Sequence, residues 1–227
     1  MKIKICGLFR GEDIDYINEA LPDYAGFVFA QSRRQVSPEQ ARRLRQKLDP
    51  RVTPVGVFVN APAAEITALY RSGVIEIAQL HGSEDEAYIA QLKEMCAVPV
   101  IKVLLYGENK ENKPRRTQRN AEEEKNELSF SSAALRDLCG YKYIDFLMFD
   151  SGAGTGKTFN WGALDTGGIG KPWFLAGGIS LENIDQAMAL EPYALDISSG
   201  AETEGFKDRE KILQLTQRVK RQWKAKQ

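Results

Sequence analysis

The chain has 227 residues, with 31 basic and 31 acidic side chains, one His and three Cys. A net charge of zero removes any general electrostatic pull toward nucleic acid or an anionic membrane surface, so the expected partner is a small molecule, with no nucleic acid and no membrane. No stretch approaches the roughly 18 apolar residues of a membrane span, MKIKICGLFRGEDIDY lacks the apolar run of a signal peptide, and no C-x-x-C pairing occurs. The expectation is a cytoplasmic protein with no disulfide framework and no zinc or other metal site.

In chain order, short apolar and β-branched runs end repeatedly in Gly, Ser, Asn or Asp. They are KIKIC from Lys2, YAGFVF from Tyr24, PVGVFVN from Pro54 and VIEIAQLHG from Val74, then PVIKVLLYG from Pro99, YIDFLMFDS from Tyr143, KPWFLAGGIS from Lys171 and YALDISSGAE from Tyr193. Segments with helical spacing separate them, among them Ser37 to Leu48, Ala61 to Gly73 and Ser180 to Pro192. Ser37 followed by Pro38 and Glu39, and Ser180 followed three residues later by Asn183, read as helix starts. Glu84, Asp85 and Glu86 place negative charge in a first turn, where the helix dipole favours it.

Near-continuous apolar strands alternating with helices predict a parallel sheet covered on its outer side. Eight such units, about 28 residues each, predict a single (β/α)8 barrel domain over residues 1–227, with a doubly wound open sheet as the structural alternative. One interval breaks the rhythm. From Gly107 to Glu127, six basic and six acidic residues leave almost nothing to pack a core, and the segment reads as a solvated, flexible insertion.

In a parallel barrel the chemistry sits at the carboxyl ends of the strands. The residues collected there are Cys6, Arg33 and Arg34 after Ser32, Asn60, His81, Lys102, Asp150, Gly177 and Gly178, and Asp196 with Ser198, Ser199 and Gly200. The glycine turns AGGIS and ISSG, after the last two strands, can aim backbone N–H groups at one phosphate. GAGTGKT, from Gly152 to Thr158, is not a nucleotide-binding P-loop: three residues, not four, separate Gly152 from the Gly156-Lys157 pair. It reads as a glycine-rich lid.

Cys6, at the end of the first strand, is either a small buried hydrophobe or a thiol tuned toward thiolate to act as base or nucleophile. Asp150 ends a strand rich in Phe, Leu and Met, where a partly desolvated carboxyl holds a proton for general acid work; capping the next loop is the plainer role. His81 is a ligand, an acid or a hydrogen-bonded wall residue. Arg34 suits bidentate pairing with a carboxylate or phosphate, while Arg33 reads as solvated.

Seven motifs, KICGL, GFVFAQSRR, VGVFVN, IAQLHG, FDSGAGTGKTFNW, FLAGGIS-x-x-N and LDISSGAE-x-x-G-x-KD, span Lys2 to about Lys211. Together they resemble the phosphoribosylanthranilate isomerases, (β/α)8 barrels of tryptophan biosynthesis. The Gly107 to Glu127 insertion and the Ser151-Gly152-Ala153 approach to the lid depart from that pattern. The resemblance implies an Amadori rearrangement of N-(5'-phosphoribosyl)anthranilate without a cofactor. It implies Asp150 as general acid, Cys6 as general base, Arg34 and His81 toward the substrate, Asp196 near the ribose or aniline nitrogen, and Gly177, Gly178, Ser199 and Gly200 around the phosphate.

Two alternatives carry different expectations. The related barrel isomerase of histidine biosynthesis would want Asp in place of Cys6 and a second glycine-rich phosphate turn, which VFVNAP and QLHGSE do not supply. A silent phosphosugar-binding barrel, docking a partner through the insertion, would not need an acid and a base. Whether the chain is a monomer or a homodimer is not legible in its sequence.

Overall fold

In a computed structural model, which describes residues 1–105, 142–151, 161, 164 and 169–225, eight parallel strands close into a barrel in the order in which they occur along the chain. They are β1 (Lys2–Cys6), β2 (Tyr24–Val28), β3 (Thr53–Phe58), β4 (Ile77–Leu80), β5 (Val100–Leu105), β6 (Phe146–Asp150), β7 (Trp173–Leu175) and β8 (Ala194–Ile197). Closure pairs β1 with β8, setting Lys2 opposite Ala194 and Lys4 opposite Asp196. The open-sheet alternative is therefore excluded. The insertion from Gly107 to Glu127, the lid from Gly152 to Thr158 and Cys139 lie outside the described residues.

Helices α1 (Gly11–Ala20), α2 (Pro38–Lys47), α3 (Ala63–Arg71), α4 (Glu86–Met95), α5 (Ile184–Ala189) and α6 (Arg209–Ala225) accompany the strands. Among the described residues no helix is long and apolar enough to cross a membrane. The strands read as continuous apolar runs because both of their faces are buried. Ile3, Ile5, Phe27, Phe58, Leu80, Leu147, Phe149 and Leu175 join the core between barrel and helices. Tyr24, Val55, Ile77, Ile101, Met148 and Phe174 fill the barrel itself.

Local signals explain where most helices begin. Ser37 caps α2 by accepting a hydrogen bond from the Gln40 amide, with Pro38 at the first helical position, as the sequence predicts. Of the three acidic residues only Glu86 opens α4: Asp85 is the cap and accepts from the Tyr88 amide, while Glu84 turns away to Lys102. The helix expected from Ser180 begins later, at Ile184. There the Asn183 side chain accepts from the Ser180 amide and donates to the Gly178 carbonyl, so the start signal becomes a turn that braces the glycine loop. A further antiparallel pair, β9 (Glu202–Thr203) and β10 (Phe206–Lys207), follows β8 and brings Lys207 back toward the barrel mouth.

Candidate active site

Above the apolar floor of the barrel lies a charged layer. Lys4 on β1 is fully buried and donates to Gln79 Oε1 of β4 at 2.8 Å and to Asp196 Oδ1 of β8 at 3.0 Å. Burial opposes its charge, but Asp196 and the Cys6 sulfur outweigh burial and hold its pKa above the ordinary lysine value. Two residues on, and so on the same face of β1, Cys6 is buried with its sulfur against the Cα of Gly26. A Cβ at Gly26 would sit 2.7 Å from that sulfur, so only glycine leaves room for the thiol. Burial raises the Cys6 pKa and Asp196 adds to the rise, while Lys4 and Lys207 pull the other way. The sequence leaves a buried hydrophobe and a thiol tuned toward thiolate both open; the net direction here is upward, because the thiol is desolvated more than its cations repay.

The two glycine turns meet at the mouth. Gly177 and Gly178 both adopt positive φ, at 92° and 68°, which lets the backbone after β7 double back. A Cβ at Gly200 would lie 1.9 Å from the Ile179 carbonyl, so the two turns touch backbone to backbone. Among the described residues, no carbonyl engages the backbone N–H groups of Gly177, Gly178, Ser199 or Gly200. One cleft gathers Gly177, Gly178 and Ser199 together with Asp150, Asp196 and Arg34. These donors, carboxyls and guanidinium, scattered over 166 positions of sequence, are therefore brought to one place.

Asp150, at the end of β6, has Oδ2 at 3.6 Å from His81 Nε2, and the other ring nitrogen of His81 faces Gln79 Nε2 at 3.4 Å. Burial lowers the His81 pKa despite Asp150 beside it. At neutral pH the imidazole is thus uncharged. His81 stands between Gln79 of β4 and Asp150 at the end of β6.

Arg34 reaches the cleft, but one edge of it is already occupied. Its Nε donates to Glu202 Oε1 at 2.7 Å and its Nη2 to Glu202 Oε2 at 2.9 Å. Lys207 Nζ also donates to Glu202 Oε1, at 2.7 Å, and Arg33 donates to Oε2. Burial works to raise the Glu202 pKa, yet the hydrogen bonds from Arg34 and the nearby Lys207 bring it below the usual glutamate range. Arg33, expected to be solvated, is more than half exposed and still reaches this carboxylate.

On the opposite side of the mouth two collected residues prove structural. Lys102 alternates with Ile101 and Val103, which face the barrel interior, and therefore points outward; its Nζ donates to Glu84 Oε2 at 2.8 Å and to the Gly82 carbonyl at 2.7 Å. Asn60, at φ 52°, gives its amide to Glu84 Oε1 and accepts the Ser83 amide on Oδ1. Among the described residues no cluster of three His, Cys, Asp or Glu side chains could hold a metal ion.

A closed barrel with an acid, a thiol, a guanidinium and two glycine turns at its carboxyl end narrows the comparison with known proteins. The family model described as N-(5'-phosphoribosyl)anthranilate (PRA) isomerase matches residues 3–126 and 125–218. The chain belongs to this family. The N-(5'-phosphoribosyl)anthranilate isomerase of Lacticaseibacillus casei is 42% identical over 219 residues, covering 96% of this chain and 94% of that protein. The crystal structure of phosphoribosyl anthranilate isomerase from Thermus thermophilus superposes with a TM-score of 0.78 at 30% identity, over 98% of this chain and all of that one. A family structure solved with reduced 1-(o-carboxyphenylamino)-1-deoxyribulose 5-phosphate gives a TM-score of 0.71 at 27% identity, over 97% of this chain and 98% of that one.

Within the family barrel, the residues that the sequence reading passed over are Lys4, Gln79, Glu202 and Lys207. A signal existed for Lys4: in KIKIC it shares the period-2 face of Cys6, so a strand that points its thiol inward points this lysine inward too. Gln79 stands in the same relation to His81. Glu202 and Lys207 show no such periodicity, but both are letters of LDISSGAE-x-x-G-x-KD.

Proposed function

We infer that the protein isomerises N-(5'-phosphoribosyl)anthranilate to 1-(2-carboxyphenylamino)-1-deoxyribulose 5-phosphate, as an enzyme of tryptophan biosynthesis. The observation that carries the reading is the convergence of Asp150, Arg34, Asp196 and the β7 and β8 glycine turns on one cleft, in a chain of this family. Asp150 gives its proton to the ring oxygen as the bond from that oxygen to C1 breaks, and the nitrogen lone pair forms an iminium at C1. Cys6, as thiolate once its own proton has left to solvent, then takes the proton from C2, and the resulting enolamine becomes the ketone by gaining a proton at C1 and losing that of the C2 hydroxyl, so the reaction redistributes protons and electrons without net change. The raised thiol pKa is compatible with this order of events. The iminium makes the C2 proton acidic, and its positive charge joins Lys4 in favouring thiolate as the step proceeds. Asp196 lies toward the ribose or aniline nitrogen and His81 toward the substrate from the β4 wall. The amides of Gly177, Gly178, Ser199 and Gly200 hold the phosphate, whose charge suits unengaged backbone donors. Arg34 meets the anthranilate carboxylate. The partner is this small phosphosugar, and no cofactor enters the scheme.

Loss of phosphoribosylanthranilate fluorescence, followed with purified protein, tests the reaction; no consumption by the wild type would refute it. Asp150→Asn keeps the shape of the acid without its proton, so kcat is expected to fall at least ~10²-fold, and by more than KM changes. Near-wild-type turnover in a folded Asn variant would remove Asp150 from the role of acid.

A further inference from the structure

The catalytic scheme leaves unused one buried cluster beside the cleft. The Glu202 carboxylate receives Arg34 through both Nε and Nη2, Lys207 through Nζ, and Arg33. Of the three cations on that carboxylate Arg33 is more than half exposed, while Arg34 and Lys207 are buried and leave one positive charge in excess. Such an excess, held largely out of water, is costly unless another anion joins it. The arginine plane shows where that anion belongs. A guanidinium presents five N–H donors in a rigid fork, and Glu202 occupies the edge formed by Nε and Nη2. The other edge, Nη1 with the second N–H of Nη2, matches a second carboxylate, and among the described residues no group accepts from Nη1. The arginine stem is held from below by Gly7, at φ 81°, where a Cβ would come within 2.4 Å of Arg34 Cδ. Lys207 secures the carboxylate in turn by donating also to the Ser198 carbonyl, next to the phosphate turn.

We propose that Glu202 is a positioning residue for substrate recognition: it fixes the Arg34 guanidinium so that the opposite edge takes the aromatic carboxylate of the substrate, which completes the charge of the buried Arg34–Lys207 pair. The inference rests on Arg34 facing that carboxylate, as read above. It distinguishes the two anionic groups of the substrate: the carboxylate is selected by a charged cluster built around Glu202, the phosphate by neutral backbone donors across the cleft.

Anthranilate and inorganic phosphate, used separately as inhibitors, probe the two subsites. Glu202→Gln is expected to raise KM about tenfold or more, to raise it by more than it lowers kcat, and to weaken inhibition by anthranilate by a similar factor. Inhibition by phosphate is expected to change less than about threefold, which a general loosening of the mouth would not spare. Because Glu202 acts through Arg34, adding Glu202→Gln to Arg34→Ala is expected to raise KM less than about threefold further. Should Glu202→Gln fail to fold, Glu202→Asp retains the charge but withdraws it by one methylene, and is expected to raise KM at least about threefold with phosphate inhibition kept. The proposal is overturned if the Glu202 and Arg34 effects on KM multiply, if phosphate weakens as much as anthranilate, or if the folded variant has wild-type KM. An Arg34→Ala enzyme with unchanged KM and unchanged anthranilate inhibition would instead overturn the assignment of the carboxylate to Arg34.

Discussion

The two sides of the barrel mouth each bury a glutamate, and the two glutamates do different things. Beyond β4, Glu84 is met by one ammonium, from Lys102, and by the backbone amides of Asn60 and Gly82. One positive charge faces one negative charge, and the result is a joint that ties the ends of β3, β4 and β5 together. Beyond β8, Glu202 is met by Arg34, Arg33 and Lys207, and the sum is cationic. Next to it lie Cys6, the glycine turns and the cleft. Buried charge that balances holds a fold together, whereas buried charge left in surplus at a cleft marks where a ligand of opposite sign completes it.

The sharpest way to break this contrast is on the reactive side. Cys6→Ala removes the proposed base from a well-packed site, so kcat is expected to fall ~10²-fold or more while stability drops by only about 1 kcal/mol. A stable Cys6→Ala enzyme with normal turnover would return the thiol to the core as a packing residue. Because burial raises the thiol pKa, the limb of kcat/KM that Cys6 controls is expected on the alkaline side of the ordinary thiol value, about 8.5. A limb near the histidine range would point to His81.

On the joint side the effect should appear in stability. Glu84→Gln leaves the Lys102 ammonium buried without its counter-charge, and a loss of about 3 kcal/mol is expected by chemical denaturation, with kcat/KM of the folded protein kept within about fivefold. The pH dependence has a definite sign. Burial raises the Glu84 pKa, but hydrogen bonds from Lys102 and Asn60 more than reverse it, so it lies below the usual value in the folded state. The glutamate therefore stabilises fully above its unfolded pKa, about 4.3, and that contribution disappears as pH falls through the lower folded pKa. The stability gap between wild type and Glu84→Gln should narrow on acidification below about pH 4; a gap that stays constant to pH 3 would mean that the pair is not worth its charge.

The smallest effect separates two neighbours. Arg33 and Arg34 both reach Glu202, but Arg33 is 55% exposed and Arg34 only 11%. Water screens the outer pair, so Arg33→Ala is expected to change KM less than about threefold. A tenfold change would mean that the exposed Arg33, and not the Arg34 edge alone, recognises the carboxylate.

Much of the barrel was legible in the chain. Strand and helix alternation, the burial of both strand faces and the position of reactive residues after each apolar run all follow from local patterns, and the start of α2 follows from Ser37; α4 begins only at Glu86, the last of the three acidic residues expected in its first turn. The start of α5 was misplaced because Ser180 and Asn183 hydrogen-bond to each other across a turn, an arrangement with the same residue types as a helix cap. Lys102 is not a cleft residue: an apolar run does not say which face each of its residues points to, and only the packing of β5, with Ile101 and Val103 inside, decides that.

By itself the sequence determined a (β/α)8 barrel, an acid after β6, a thiol after β1 and two glycine turns after β7 and β8, because each is written in a stretch shorter than one strand and its loop. Tertiary structure alone decided which charge each buried group meets. Lys4 finds Asp196 across 192 positions, and Arg34 finds Glu202 across 168. Those partnerships exist only once β8 closes on β1, and closure is a property of the whole ring of strands, whereas hydrophobic periodicity records only whether a residue is buried.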